Sequence, residues 1–240
     1  MPRFPIKIDD ISEGFTKISG DDYKHITKVL RLKVGNNITL FDESSFEHEA
    51  KIINITTRDL TLEIQDSKKV KRESDLTLNL FQCIPKSSKF ELIIQKATEL
   101  GVTNIIPVIS ERTQNIKNFK RDRLNRIAIE SSKQCNRTKP LKIYEIVNYY
   151  DSFPTYYKSD INIILHIKSN ESFKSYLNKY PGKISSVNIY IGPEGGFTNN
   201  EIEVAKKNNY TDLGLGNRIL RTETAAISAI TLLQFYFGDL

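Results

Sequence analysis

Hydrophobic positions along the chain change their rhythm near residue 75. Before it, "NITLFD", "EHEAKIINITT" and "DLTLEIQD" are short stretches rich in Ile, Leu and Thr, separated by polar turns. That pattern predicts strands of a small antiparallel barrel. They follow "SGDDYKHITKVLRLKVGN", where His25, Ile26, Val29, Leu30 and Leu32 fall at near-helical spacing and "VGN" ends the segment, so a helix and a turn are expected there. The charged stretch 66–75, "DSKKVKRESD", reads as a linker or a solvated turn.

From Leu76 onward strands and helices alternate. "LTLNLFQCI", "NIIPVIS", "INIILHI" and "VNIYIG" are nearly continuous apolar runs, as expected of strands buried on both faces of a parallel sheet. Between them "SKFELIIQKATELGV" is an amphipathic helix closed by Gly101, and "FKRDRLNRIAIESSKQCNR" is a basic helix. The last segment, "TAAISAITLLQFYF", is apolar almost all the way round and is expected to be buried. A dimer interface is one place to bury it. The alternation argues an α/β fold with a parallel sheet.

Composition narrows the function classes. The chain has 240 residues, 39% of them hydrophobic, and no apolar run near the ~20 residues that span a bilayer. The start, "MPRFPIKIDD", lacks the apolar core of a secretory leader. Cys83 and Cys135 form no Cys-x-x-Cys pair, and His25, His48 and His166 show no ligand spacing, so neither a disulfide framework nor a metal centre is expected. The net charge of +6 is concentrated: residues 111–142 carry ten bases (Arg112, Lys117, Lys120, Arg121, Arg123, Arg126, Lys133, Arg137, Lys139 and Lys142) against three acids. Such a run is a solvated face or the footprint of a polyanion such as RNA.

Candidate chemistry lies where strands of a parallel sheet end, because ligands of open α/β sheets bind beyond their carboxyl ends. After "VNIYI" comes "GPEGGF", then Thr198 and Glu201 spaced as a capping box. After "YTDL" come Gly214 and Gly216, then "NRILRTETAA" leading into the last helix. Glycines there let main-chain groups approach a ligand closely. The P-loop pattern and the G-x-S-x-G elbow are absent, and "GLGNRI" puts Ile219 where a dinucleotide fingerprint needs glycine. What remains is a pocket for a ligand that is part apolar and part hydrogen-bonding, beside Arg221.

"IGPEGGFTNNEI" and, farther on, "LGLGNRILRTETAA" closely resemble the paired C-terminal motifs of the RsmE family, which methylates N3 of a uridine in small-subunit (16S) ribosomal RNA. "HITKVLRLKVGN" resembles the family's N-terminal segment, and "KSSKFELIIQKATELGVTNIIPVISERT" and "ESSKQCNR" its central motifs. In "ESSKQCNR" the family pattern is richer in alanine and ends in Ser-Gly, so Ser131, Cys135 and Asn136 are departures.

The resemblance implies a PUA-like RNA-binding barrel over residues 1–72. It implies a SPOUT methyltransferase domain over 73–240, with a deep trefoil knot, S-adenosylmethionine as cofactor and a cytoplasmic homodimer without metal. Leu165, His166, Gly192, Pro193, Glu194, Gly195, Gly196, Leu215, Gly216, Ile219 and Leu220 would hold the cofactor. Uracil N3 must lose its proton before it attacks, and Arg221 is the candidate to stabilise the anion, unless it only pairs with Glu194 or Glu223. Either acid is also the candidate proton acceptor. Arg31, Arg112, Arg126 and Arg137 are the candidate RNA contacts, whereas His25 and Glu99 read as structural. A different target atom, such as a ribose 2′-hydroxyl, and an RNA-binding assembly factor without activity are the alternative readings. The expected substrate is the ribosomal RNA within the small subunit.

Overall fold

A computed structural model describes residues 1–85, 87–113, 119–153 and 158–240, with Lys117 of the basic run outside them. The chain divides into two units: Met1–Glu73 with Ser132–Pro140, and Ser74–Ser131 with Leu141–Leu240.

The first unit is a five-stranded sheet. Its strands are β1 (Arg3–Pro5), β2 (Phe15–Ser19), β3 (Asn37–Phe41), β4 (Phe46–Ile55) and β5 (Asp59–Lys69), in the order β1-β3-β4-β5-β2. β1 pairs with β3 in parallel and the other pairs are antiparallel. Alternation in β2 and β4 puts Ile18, Ala50 and Ile52 on the inner face. There they meet Phe4, Ile38, Leu40, Leu60, Leu62 and Ile26. Ile26 comes from a turn, His25–Val29, that continues the short helix α1 (Gly20–Lys24). His25 packs edge-on against Phe4 at 5.8 Å, a structural role.

Ser132–Pro140 joins this unit through Glu73. The Glu73 carboxylate accepts from the Arg137 guanidinium at 2.9 Å and from the backbone amides of Thr138 and Lys139 at 3.0 and 2.9 Å. Nothing in local periodicity announces that allegiance, because the bonds span more than sixty positions.

The second unit is built on parallel strands β6 (Thr77–Cys83), β7 (Asn104–Ile109), β8 (Lys142–Ile143), β9 (Val147–Asn148), β10 (Ile161–Leu165), β11 (Ser186–Ile191) and β12 (Thr211–Leu213). Their order is β12-β10-β11-β6-β7-β8, with β9 also on β7. The helices are α2 (Ser87–Glu99), α3 (Arg121–Cys135), α4 (Phe173–Leu177), α5 (Asn199–Lys207) and α6 (Thr222–Phe237). Apolar side chains fill both faces of the sheet. Leu78, Leu80, Ile105 and Ile189 cluster with Ile93 and Ile94 of α2 and with Ala226, Ile230 and Leu233 of α6. Phe81, Ile106, Ile164 and Tyr190 cluster with Tyr149, Phe197, Ile202 and Tyr210.

A polar seam crosses this apolar sheet. Asn104 donates to Asn79, Asn79 to Asn188, and Asn188 to Asn162, at 2.8, 2.8 and 2.9 Å. All four sit in register on adjacent strands. A slip of one residue would bury these amides without partners, so the seam fixes the pairing of four strands. α6 departs from its expected full burial. One side packs on the core, while Leu232, Phe235 and Tyr236 remain 40%, 70% and 42% exposed.

Candidate functional site

Because β12, β10 and β11 are neighbours and parallel, their carboxyl ends open on the same edge of the sheet. The three loops that leave them enclose a cavity of about 460 Å³, a size suited to a small-molecule ligand. Leu165 and His166 follow β10, residues 192–196 follow β11, and Leu215, Gly216, Ile219, Leu220 and Arg221 follow β12. All of them line the cavity. Glu223 does not. It sits in the first turn of α6, just beyond the wall.

The β11 loop is shaped by its glycines and held from outside. A methyl group on Gly192 would stand 3.2 Å from the Phe197 ring, and one on Gly195 would stand 3.2 Å from the Arg112 side chain. Gly196 and Gly216 hold φ at +66° and +80°, which disfavours other residues. Beyond the loop, Thr198 accepts from the Glu201 amide at 3.2 Å while Glu201 accepts from the Thr198 amide at 2.7 Å, the expected capping box. Glu201 is fully buried, and its other oxygen accepts from the Glu111 amide at 2.9 Å. One carboxylate therefore ties the β7 and β11 loops together.

Two more contacts fix the loop. Thr222 donates its hydroxyl to the Gly192 carbonyl at 2.7 Å and accepts from Gln82 at 3.0 Å. The Arg112 guanidinium donates to the Gly195 carbonyl at 2.7 Å. Arg112, a candidate RNA contact by sequence, thus stands on the cavity wall. Lys89 of α2 stands 3.2 Å from Glu194 and 3.7 Å from Glu223. Neither role was legible from residue type; both side chains lie in motif-like stretches whose partners are more than eighty positions away.

The charged candidates divide by their surroundings. Arg221 caps α6 and is exposed, and its side chain has no hydrogen-bond or ion-pair partner among the described residues. Glu194 and Glu223 turn to Lys89 instead of to Arg221. Arg31 is exposed, with φ at +54°, and Arg126 is exposed on α3. Arg137 is 6% exposed and engaged by Glu73, so contacting RNA would require breaking that pair. Glu99 pairs with Lys96 one turn earlier. Burial pushes the Cys83 thiol and the Tyr149 and Tyr190 phenols far above their usual ranges, so none of them serves as a base. Among the described residues no cluster of His, Cys, Asp and Glu could hold a metal ion, and no helix is long and apolar enough to cross a membrane.

The wall suits a ligand that is part apolar and part hydrogen-bonding. Leu165, Ile191, Leu213, Leu215 and Leu220 supply the apolar surface, and the glycine loops bring main-chain groups close to it. Arg112, Lys168, Arg218 and Arg221 leave the rim positive against one acid, Glu194.

The chain is similar to known proteins. A family model described as an RNA methyltransferase domain matches residues 72–234, and one described as an RNA methyltransferase PUA domain matches residues 18–65. The chain is 36% identical to the ribosomal RNA small subunit methyltransferase E of Buchnera aphidicola subsp. Acyrthosiphon pisum, across 100% of this chain and 95% of that protein. It is 28% identical to the protein of the same name from Bacillus subtilis, across 98% and 96%. Among solved structures, the Neisseria gonorrhoeae ribosomal RNA small subunit methyltransferase E bound to S-adenosyl methionine superposes with a TM-score of 0.90. The two are 30% identical, with 100% of this chain and 99% of that one covered.

Proposed function

Since this chain belongs to the RNA methyltransferase family, alongside the ribosomal RNA small subunit methyltransferase E proteins, we propose that it methylates N3 of a uridine in small-subunit ribosomal RNA with S-adenosylmethionine as donor. One observation carries the reading: three loops from neighbouring strand ends form a single cavity, and two of its glycines, Gly192 and Gly195, are pressed by Phe197 and Arg112 too closely to carry a side chain without a shift. When bound, S-adenosylmethionine supplies an electrophilic methyl group on a sulfonium. Loop 192–196, Leu165, His166 and the segment 215–220 would hold it, with the apolar wall against the adenine and the main chain meeting its polar edge.

The remaining work falls to the side chains at the rim. Uracil N3 is a poor nucleophile until its proton leaves, and the anion spreads its charge onto O2 and O4. Arg221 is placed to stabilise that charge, because its guanidinium is exposed on the cavity wall and uncommitted among the described residues. Glu194 and Glu223 are the nearby proton acceptors. The target base must be unpaired or flipped out to reach the cavity.

Further parts of the proposal concern assembly. The exposed Leu232, Phe235 and Tyr236 of α6 support a homodimer that covers this face. Arg31 on the first unit and Arg126 on the second are exposed and would meet phosphates, which position RNA without reading its sequence. A ribosomal substrate supports a cytoplasmic location. The strand order and the three loops also support the deep trefoil knot of the SPOUT fold. The test is transfer of a labelled methyl group from S-adenosylmethionine to purified small ribosomal subunits, comparing the wild type with Gly196→Trp. Incorporation by the wild type alone supports the reading; equal incorporation by the variant removes the cavity from it.

A further inference from the structure

Three segments far apart in sequence converge on one ammonium. Lys89 lies in the first turn of α2, Glu194 in the β11 loop and Glu223 in the first turn of α6. The Lys89 Nζ stands 3.2 Å from Glu194 Oε1 and 3.7 Å from Glu223 Oε2. The three side chains are 28%, 32% and 13% exposed, so water screens the cluster only partly. The Glu223 Oε2 is buried and makes no hydrogen bond among the described residues, which leaves the Lys89 charge as its compensation.

From this geometry we infer that Lys89 is a positioning residue, an ionic clasp that closes the β11 loop against the start of α6 and so sets the shape of the cavity. The inference rests on the cofactor reading of that cavity. Glu194 is itself part of the wall, and Thr222, next to Glu223, already holds the Gly192 carbonyl. The loop is thus tied to α6 at both sides, once by a neutral hydrogen bond and once through the shared ammonium. Removing the ammonium does more than delete a contact. It leaves the buried Glu223 Oε2 without its compensating charge, and that cost is relieved when the loop and the start of α6 separate. Removing the Glu223 charge as well takes that cost away.

That sign pattern distinguishes a clasp from simple packing. Lys89→Met keeps the apolar stem and deletes the charge; Lys89→Arg keeps the charge; Lys89→Met with Glu223→Gln removes both ends of one arm. Affinity for S-adenosylmethionine is measured by calorimetric titration, and deuterium exchange of the peptide spanning 192–197 is followed without ligand. Lys89→Met is expected to weaken binding about tenfold, equivalent to ~1.4 kcal/mol, and to speed exchange in the loop. Lys89→Arg and the double variant are expected to return to within about threefold of wild type. Wild-type affinity and exchange in Lys89→Met would overturn the clasp, as would a double variant no better than the single one. A wild-type protein that binds no cofactor would refute the reading of the cavity, and the exchange comparison would then decide the clasp alone.

Discussion

Replacing Gly192 by alanine tests the cavity floor through one atom. The backbone there is not in the left-handed region, so alanine meets no conformational penalty and the cost is steric. The added methyl would sit 3.2 and 3.3 Å from two carbons of the Phe197 ring and 3.4 Å from the Gly196 Cα. Phe197 cannot simply swing away, being 5% exposed and packed 5.4 Å from the Tyr149 ring. Overpacking of this kind costs about 1–3 kcal/mol, paid in the loop that would hold the cofactor. Binding of S-adenosylmethionine by Gly192→Ala is therefore expected to weaken roughly fivefold to 150-fold in calorimetric titration. Phe197→Leu makes room, so the double variant should bind better than the sum of the two single losses predicts. Gly196→Ala is the control: nothing lies within 4 Å of its methyl, but φ is +66°. Its cost is backbone strain of about 1–2 kcal/mol, which Phe197→Leu should leave untouched. Unchanged affinity in Gly192→Ala, or strict additivity with Phe197→Leu, would refute the steric argument.

Three other outcomes follow from the same geometry. Asn188→Leu removes the centre of the asparagine seam and orphans the 1%-exposed Asn79 amide, costing about 1–3 kcal/mol; thermal unfolding should fall by roughly 2–12 °C, and a shift under 1 °C would contradict the seam's role. Burial works to raise the Glu47 pKa, but the Arg3 pair at 2.6 Å and Arg72 outweigh it and hold it below 4.5. Its stabilising contribution is present above pH 4.5 and is lost as pH falls through the lowered value, so acid unfolding of Glu47→Gln should be less steep below pH 4.5 than that of wild type. Arg221→Met should keep cofactor affinity within about threefold while methyl transfer slows by about 100-fold or more, with a smaller deficit at alkaline pH where uridine ionises unaided; a loss that sits in cofactor affinity would move Arg221 from charge stabilisation to binding.

How much of this was readable beforehand depends on the range of the interactions. The apolar runs that become β6, β10 and β11 are legible because strands buried on both faces leave no alternation to misread. The Thr198–Glu201 capping box and the positive-φ glycines are local, and their residue types announce them. β1 is not legible: three residues carry no period, and their parallel pairing with β3 is a tertiary fact. Lys89 carries no distinguishing mark in sequence and Arg112 reads there as an RNA contact; only the meeting of α2, α6 and the β7 and β11 loops gives them their partners. The expected burial of α6 rested on its composition, which cannot say that Leu232, Phe235 and Tyr236 stay exposed.

The central claim is methyl transfer to uracil N3, and nucleoside mass spectrometry reads that atom directly. Small ribosomal subunits lacking the modification are incubated with the protein and S-adenosylmethionine, then digested and analysed. The account predicts 3-methyluridine with the wild type and its loss with Gly196→Trp. A methyl group on a ribose oxygen or another base, or none despite saturable cofactor binding, would contradict it.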